Sequence, residues 1–468
     1  MAEVSIADVG AAVGARVVGD GAVHVRTVTH DSAAVGEAAL FCCVPGAHHD
    51  GHDFAGAALQ AGAVGLLCSR QLPLEVPQLL VDDVRAAMGP ASAEVYGNPS
   101  AAVSVVGVTG TNGKTTVVTL LAEVLRRAGH RCEVIGTLTG TRTTPEAPEL
   151  QARLAQWAGL GVDDVAMEVS SHALELHRVD GTRFRVGVFT NLGTDHLDFH
   201  GTHEAYFSAK AKLFERGRCE LGVVNLDDPH GRLLRDASEI PIVGYSVDSL
   251  GDLRLGPRSS TFTWRGHLVT LPMPGRHNVA NALAVAEAAS QLGLEDAAVV
   301  DGLAGGATVP GRFELVDGAE AAVVVDYAHT PDALRSVLST ARELLGARGR
   351  LVVVFGCGGD RDPSKRPKMG RVASELADEV VLTNDNPRSE DPLRILEEIR
   401  SGCRHDPLVL PDRRAAIRAA LGGSRPGDVV VIAGKGHEQG QQFADRTDAF
   451  DDRRVAAEEI RALVGGAR

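Results

Sequence analysis

The chain has no Cys-x-x-Cys pair, and its cysteines (Cys42, Cys43, Cys68, Cys132, Cys219, Cys357 and Cys403) are odd in number. That usage argues against a disulfide-stapled secreted protein and predicts reduced, mostly buried thiols in a cytosolic one. Positive charge is also short: the net charge is −14, which argues against nonspecific nucleic-acid binding and leaves room only for local basic pockets that hold phosphates. No apolar run approaches the length of a bilayer span. The opening Met-Ala-Glu-Val-Ser-Ile-Ala-Asp lacks the basic and apolar regions of a secretory leader. There is no internal repeat and no low-complexity tail. These absences lead us to expect a cytoplasmic protein with no membrane span and no nucleic-acid partner. What is present is ordinary: 468 residues, 23% charged and 44% hydrophobic, enough for two to four domains with their own cores.

Three blocks follow from the pattern. Residues 1–98 carry short strand-like runs (Val23 to Val28, Ala39 to Val44, Val64 to Cys68) around a helical stretch near Phe54 to Ala61. This block ends at the turn-rich Gly97-Asn98-Pro99-Ser100. Residues 99–309 alternate strands and helices, with Val165 to Val169, Val186 to Thr190 and Leu221 to Asn225 reading as strands buried in a parallel sheet. Residues 310–468 repeat that alternation through Ala321 to Asp326, Leu351 to Phe355, Val380 to Thr383 and Val429 to Ala433. The expected fold is therefore α/β in three domains: a small N-terminal α/β domain, a central P-loop parallel-sheet domain and a C-terminal Rossmann-like domain.

The densest chemical signal is Gly110-Thr111-Asn112-Gly113-Lys114-Thr115-Thr116. It follows the apolar run Val103 to Val108 and precedes a helical pattern with Val117, Leu120, Leu121, Val124 and Leu125 on one face. Strand, glycine turn and helix start together make a phosphate cradle, with backbone N–H groups and the helix dipole facing the anion. Lys114 adds a point charge, and Thr115 sits where a P-loop hydroxyl usually meets Mg²⁺. Val108 stands where the longer P-loop has its first glycine, which points away from common GTPases and motor ATPases.

Ligands of open parallel sheets gather at the carboxyl ends of the strands, and so do the polar clusters here. Glu168 ends one strand and precedes Val169-Ser170-Ser171-His172, while Thr190-Asn191 ends the next and leads to Asp195-His196-Leu197-Asp198. A carboxylate and an imidazole beside a P-loop are candidate Mg²⁺ ligands; either cluster alone reads better as a loop histidine and a capping aspartate, but two at successive strand ends after a P-loop favour the metal. Lys210 lies in an expected helix, and spacing alone favours an unmodified lysine, since an ammonium ligates no metal. If buried with a depressed pKa it could instead take up CO₂ as a carbamate. Lys212 points to another face of that helix, so at most one of the two lysines faces a site.

In the third block, Asp326-Tyr327-Ala328-His329-Thr330-Pro331, Gly356-Cys357-Gly358-Gly359-Asp360-Arg361, Asp385-Asn386-Pro387-Arg388 and Gly434-Lys435-Gly436-His437-Glu438 each follow a strand. Arg361 and Arg388 can fork onto carboxylates and Glu438 can hold an ammonium, a grip suited to a zwitterion. The alternative is a set of turn residues with surface salt bridges.

Taken together these motifs, with His277-Asn278-Val279-Ala280-Asn281 and Pro310-Gly311-Arg312, resemble the Mur ligase family of ATP-dependent amide-bond formers, along essentially the whole chain. The resemblance implies that Gly110, Thr111, Asn112, Gly113, Lys114, Thr115 and Thr116 hold ATP phosphates, with Asn281, Arg312 and Asp326 also contacting the nucleotide. It implies that Thr115, Glu168 and His196 serve two magnesium ions, and that Lys210 is the family's carbamylated lysine, a carboxylate-like ligand in the same metal set. Lys114, Glu168, His196 and Lys210 are then the catalytic set. In the first domain His30, Ser32, Ala47, His48 and His49 match positions around a uridine nucleotide, and Thr143, Thr144, Ser170 and Arg178 match those around a muramoyl dipeptide. Arg361, Asp385, Asn386, Pro387, Arg388, Gly434 and Glu438 match contacts to meso-diaminopimelate, whose second carboxylate needs a cation. The implied activity adds that amino acid to the D-glutamate side chain of the UDP-N-acetylmuramoyl dipeptide through an acyl phosphate, in a monomer. L-Lysine or another diamino acid remains an alternative amine.

Four departures bear on sugar and dipeptide recognition: Ala33 replaces an arginine, the chain between Gly136-Thr137 and Thr143-Thr144 is short, Arg142 stands where asparagine is frequent, and Leu176 replaces a polar contact of some members. Two rivals stay open. One is a folylpolyglutamate synthetase-like ligase, which would not be expected to carry a separate block of about a hundred residues ahead of the P-loop. The other is a catalytically silent nucleotide-binding protein or scaffold.

Overall fold

A computed structural model describes residues 3–46, 49–256, 258–306, 309–345 and 349–466. The expected three-part α/β organisation is present, each part built on its own sheet. In the first, Arg16–Val18, Gln78–Leu80, Ala63–Cys68, Ala39–Cys42 and Thr27–Thr29 lie side by side in that order. Only the Arg16–Val18 edge runs antiparallel.

The central sheet is wholly parallel, in the order Ile242–Tyr245, Cys219–Asn225, Phe184–Phe189, Ser104–Thr109, Asp164–Glu168, Cys132–Ile135. Ser104–Thr109 is flanked on both sides by strands that come later in the chain, so its carboxyl end opens into the crevice where such sheets bind ligands. Helix Lys114–Arg127 leaves that strand end and buries Val117, Leu120, Leu121, Val124 and Leu125, the face expected from the sequence. Its last turn carries Arg126 and Arg127, which complement the helix dipole.

An antiparallel sheet of Arg254–Leu255, Ser260–Trp264 and His267–Leu271 falls outside the sequence expectation of buried parallel strands. Its signal is a strict alternation (Ser260, Phe262 and Trp264 inward) closed by the two-residue turn Arg265-Gly266, both at positive φ. Trp264 Nε1 donates to the buried Glu287 of helix Arg276–Gln291 at 2.8 Å, fixing this sheet to the central core.

In the third sheet Glu314–Val316 is an antiparallel edge on Ala322–Asp326, followed by Val429–Ala433, Leu351–Phe355, Glu379–Leu382 and Leu408–Val409, all parallel. Because Val429–Ala433 inserts beside Leu351–Phe355, the loops bearing Glu438, Arg361 and Arg388 leave three neighbouring strands on one edge. All the cysteines are free, and every one except the half-buried Cys403 is buried, as expected. Burial pushes thiols such as Cys43 up to about 12, which keeps them protonated. Among the described residues no helix is long and apolar enough to cross a membrane.

Candidate functional site

The loop after Ser104–Thr109 is shaped by neutral hydrogen bonds from the adjacent strand end. Thr190 Oγ1 donates to Asn112 O at 2.6 Å, Asn191 Oδ1 accepts Asn112 N at 3.0 Å, and Asn191 O accepts Thr111 N at 2.9 Å. Thr111 Oγ1 accepts Gly193 N at 2.8 Å and lies 3.1 Å from the Tyr206 hydroxyl. Gly113 sits at φ 89°, and a Cβ there would come within 2.5 Å of Asn281 Oδ1, so only glycine lets Asn281 back the loop. Gly113 caps helix Lys114–Arg127 without a side-chain bond, leaving the helix's first N–H groups to face the crevice. Thr116 is buried in that first turn.

Two lysines meet at one carbonyl. Lys114 Nζ donates to Gly110 O at 2.8 Å and Thr111 O at 2.9 Å, and Lys210 Nζ donates to Gly110 O at 3.0 Å. Lys210 is 1% exposed, on helix His203–Ala211, with its ammonium 4.3 Å from the Tyr206 ring centre. Burial, with the Lys114 charge alongside, holds Lys210 well below the ordinary lysine value, against the weaker pull of Asp195. Burial also lowers Lys114, opposed by Glu168 and Asp195. Lys212 points elsewhere and pairs with Glu175 at 2.7 Å, so one lysine of the pair faces the site, as helix geometry required.

Glu168 is 2% exposed at the end of the next strand. Its Oε1 accepts from Thr115 Oγ1 at 3.0 Å and Thr137 N at 2.9 Å, and its backbone O accepts from Thr144 Oγ1 at 2.9 Å. Arg312, which lies just ahead of the third sheet, donates from Nη2 to Thr115 Oγ1 at 3.1 Å, with its guanidinium 4.4 Å from the Tyr327 ring centre. Asp326 aims this turn: its carboxylate accepts Phe313 N at 2.7 Å and Ala328 N at 2.8 Å. Asp332 reinforces the same seam by accepting Thr194 N at 2.8 Å. Half-buried His196 (φ 55°) packs 4.7 Å from His172 and 6.2 Å from Tyr206, ring centre to ring centre. Burial pushes His196 down to about 4; the Lys114 and Lys210 charges act in the same direction and Asp195 opposes them.

Thr143, Thr144, Ser170 and Arg178 adjoin this centre. Thr143 Oγ1 is 3.1 Å from Thr137 Oγ1, Thr144 Oγ1 accepts Ser170 N at 3.1 Å, and Arg178 Nη1 reaches Thr144 O at 3.4 Å. His30 is half-buried, lowered by burial, and senses the charges of Glu146, Arg85 and Arg142. Ser32 starts a short turn capped by Asp31, and His49 stacks edge-on to Phe54 at 6.2 Å. Ala47 and His48 lie outside the described residues.

The third-domain group is assembled around Lys435, which is fully buried. Its Nζ donates to Asn386 Oδ1 at 2.8 Å and Glu438 Oε2 at 3.0 Å, and Asn386 Nδ2 donates to the same Glu438 oxygen at 2.8 Å. Arg388, at φ 53° after Pro387, donates to Gly359 O at 2.7 Å. Asp385 is buried against Gly434, whose φ of 114° and 2.5 Å clearance to Asp385 Oδ2 leave no room for a side chain. Arg361 stands apart, exposed, its side chain bonded among the described residues only to Asp360 O at 3.2 Å. Arg413 and Asp452, both fully buried, form a two-pronged pair at 2.8 and 2.7 Å, and Arg413 also donates to Ala433 O and Asn384 O. Lys435, Glu146, Tyr206 and the Arg413–Asp452 pair were not singled out from sequence. Lys435 was visible as a strand-end residue, but the others depend on partners far along the chain.

Three family descriptions match in series: "Mur ligase family, catalytic domain" over 24–107, "Mur ligase middle domain" over 108–289 and "Mur ligase, glutamate ligase domain" over 311–436. The UDP-N-acetylmuramoyl-L-alanyl-D-glutamate–2,6-diaminopimelate ligase of Streptomyces avermitilis is 44% identical, over 94% of each chain. The chain belongs to the Mur ligase family. The same-named protein of Syntrophomonas wolfei is 43% identical over 94% of this chain and 96% of its own. A solved structure of a ligase of that name aligns with 33% identity and a TM-score of 0.71, covering 99% of this Mur ligase and 100% of the other chain.

Proposed function

We propose that this Mur ligase joins meso-diaminopimelate to the D-glutamyl side-chain carboxylate of UDP-N-acetylmuramoyl-L-alanyl-D-glutamate at the expense of ATP, acting in the cytoplasm as a monomer. The observation that carries this is the seam itself: Arg312 of the third domain reaches the P-loop hydroxyl of Thr115 at 3.1 Å, beside buried Glu168 and the two lysines. The names and full-length similarity of the relatives support it.

ATP phosphates would lie on the N–H groups of residues 110–116, with Lys114 leaving its carbonyl partners for the phosphate oxygens and Arg312 closing over them from the other side. The substrate carboxylate oxygen attacks the γ-phosphorus as the bond to ADP breaks. The amine then attacks the acyl carbon of the resulting acyl phosphate, loses a proton and expels phosphate. Lys114 and Arg312 oppose the negative charge that spreads over the transferring group, a mainly electrostatic contribution. Thr115, Glu168 and His196 would hold Mg²⁺. The donor set fits a hard cation, since a hydroxyl and a buried carboxylate already touch at 3.0 Å. Bound there, Mg²⁺ supplies the neutralisation that lets an anionic carboxylate approach an anionic phosphate. Among the described residues no three His, Cys, Asp or Glu side chains gather as a metal cage.

Lys210 fits the carbamate reading: it is buried, and burial lowers its pKa, which favours the uncharged form that can take up CO₂. Labelled bicarbonate should give a carbamate resonance in the wild type that is missing in Lys210→Arg; the same resonance in both would reject the modification at this residue. For the amine substrate, Glu438 and Asn386 would take the ammonium end and Arg388, with Arg361 swinging in, the far carboxylate. Phosphate release is expected to need ATP, the UDP-dipeptide and meso-diaminopimelate together, with L-lysine far weaker. Release with L-lysine at equal rate would reject the specificity, and release without any amine would reject the ligase reading.

A further inference from the structure

Beside the phosphate site, three arginines surround one carboxylate. Glu146, 6% exposed, sits just ahead of helix Ala147–Gly159. Arg142 Nη1 meets its Oε1 at 2.8 Å, Arg178 Nε lies 3.0 Å from the same oxygen, and Arg85, from the first-domain helix Val84–Val95, lies 3.5 Å from Oε2. Arg178 Nε is not aligned for a hydrogen bond, and among the described residues neither it nor Glu146 Oε2 has a hydrogen-bond partner. A buried guanidinium N–H left without an acceptor is costly, so Arg178 Nε marks a place where a further acceptor can be received, while Glu146 Oε2 is offset by the Arg85 charge. Three guanidinium charges against one carboxylate leave an excess of two, and the excess favours an anion.

The position says which anion. Thr143 and Thr144 follow Arg142 directly, and the Thr144 hydroxyl donates to the backbone oxygen of Glu168. The cluster therefore lies one short step outward from the candidate phosphoryl-transfer centre, on the first-domain side. An acid substrate whose reacting carboxylate faces Glu168 would carry its other carboxylate to this cluster. Resting on the ligase reading above, we propose that Arg142 is a specificity-determining residue that binds the non-reacting carboxylate of the acid substrate, and that Glu146 holds the guanidinium in place until that carboxylate arrives. The Arg142 guanidinium is half exposed, so it can leave Glu146 for a ligand without opening the core.

The test is steady-state phosphate release by the full-length protein with two acid substrates, UDP-N-acetylmuramoyl-L-alanyl-D-glutamate and its analogue in which the non-reacting carboxylate is a carboxamide. The wild type should favour the acid over the amide by about tenfold in kcat/KM. Arg142→Gln should raise the KM for the acid by about tenfold, leave the KM for ATP alone and treat acid and amide nearly alike; Arg142→Lys should fall between. An unchanged KM for the acid overturns the inference. An equal rise for acid and amide also overturns it, because the arginine would then hold the diphosphate. A wild type inert with the UDP-dipeptide would instead remove the ligase reading underneath. Thermal unfolding of Arg142→Gln at the wild-type temperature is expected, and a large drop would mean that Arg142 serves the fold.

Discussion

In the central domain the loop at 110–116 is held by hydroxyl and amide side chains of Thr190 and Asn191 and by two glycines, while Lys114 touches only carbonyl oxygens. In the third domain the strand ends are held by charges that cancel one another: Arg413 with Asp452, and Lys435 with Glu438. The difference has a physical consequence. Neutral bonds and steric fit shape the first site without consuming its cation, so the Lys114 charge is free for a ligand. In the second, a buried charge stripped of its partner is stranded in low dielectric, so substitutions within the Arg413–Asp452 and Lys435–Glu438 pairs strike the fold before they strike the chemistry.

Four expected outcomes would break or sharpen that contrast. Lys114→Ala should lower phosphate release by about a thousandfold with an unchanged unfolding transition; lost folding would mean that the lysine braces the loop. Asp452→Ala should cost roughly 3–5 kcal/mol in denaturant unfolding because it leaves Arg413 buried and unpaired, and a cost below about 1 kcal/mol, the level of an exposed pair, would dissolve the comparison. Arg388→Ala should raise the KM for diaminopimelate by about thirtyfold while barely changing that for ATP; equal losses would reject its role in choosing the amine. The smallest effect belongs to His277, whose Nδ1 lies 3.1 Å from Thr340 Oγ1 across the seam and which burial pushes down to about 4. The unfolded chain takes up that proton first, near pH 6.5, so stability should decline as pH falls from about 6.5 towards 4. His277→Gln should flatten that slope, and an unaltered slope would assign it to other groups.

How legible each region was in the sequence follows the same division. The phosphate loop is contiguous, and its supports Glu168, Thr190 and Asn191 come from strand ends that any parallel reading of the sheet places beside it. The run Tyr206 to Phe214 announced a helix, which in the structure spans His203–Ala211 with a 3-10 turn at Lys212–Phe214, but whether Lys210 or Lys212 turned inward needed the packing of Tyr206. The third-domain pocket was readable as strand-end loops bearing Arg361, Arg388 and Glu438. It was not readable as a structure pinned by Arg413 and Asp452, which are 39 residues apart and look like any surface pair in a chain with 23% charged residues. The same holds for Glu146, whose three arginines come from separate segments. The hairpin Ser260–Leu271 escaped because its alternation is half polar, although its Arg-Gly turn was a usable sign.

The most direct test is a structure of the full chain with a non-hydrolysable ATP analogue, the UDP-dipeptide and meso-diaminopimelate bound together. The account predicts the terminal phosphate between Lys114, Thr115 and Arg312, and the amino acid on Arg388 and Glu438 with its amine facing the D-glutamyl carboxylate. Ligands settled in separate cavities, with Arg312 away from the phosphates, would contradict it.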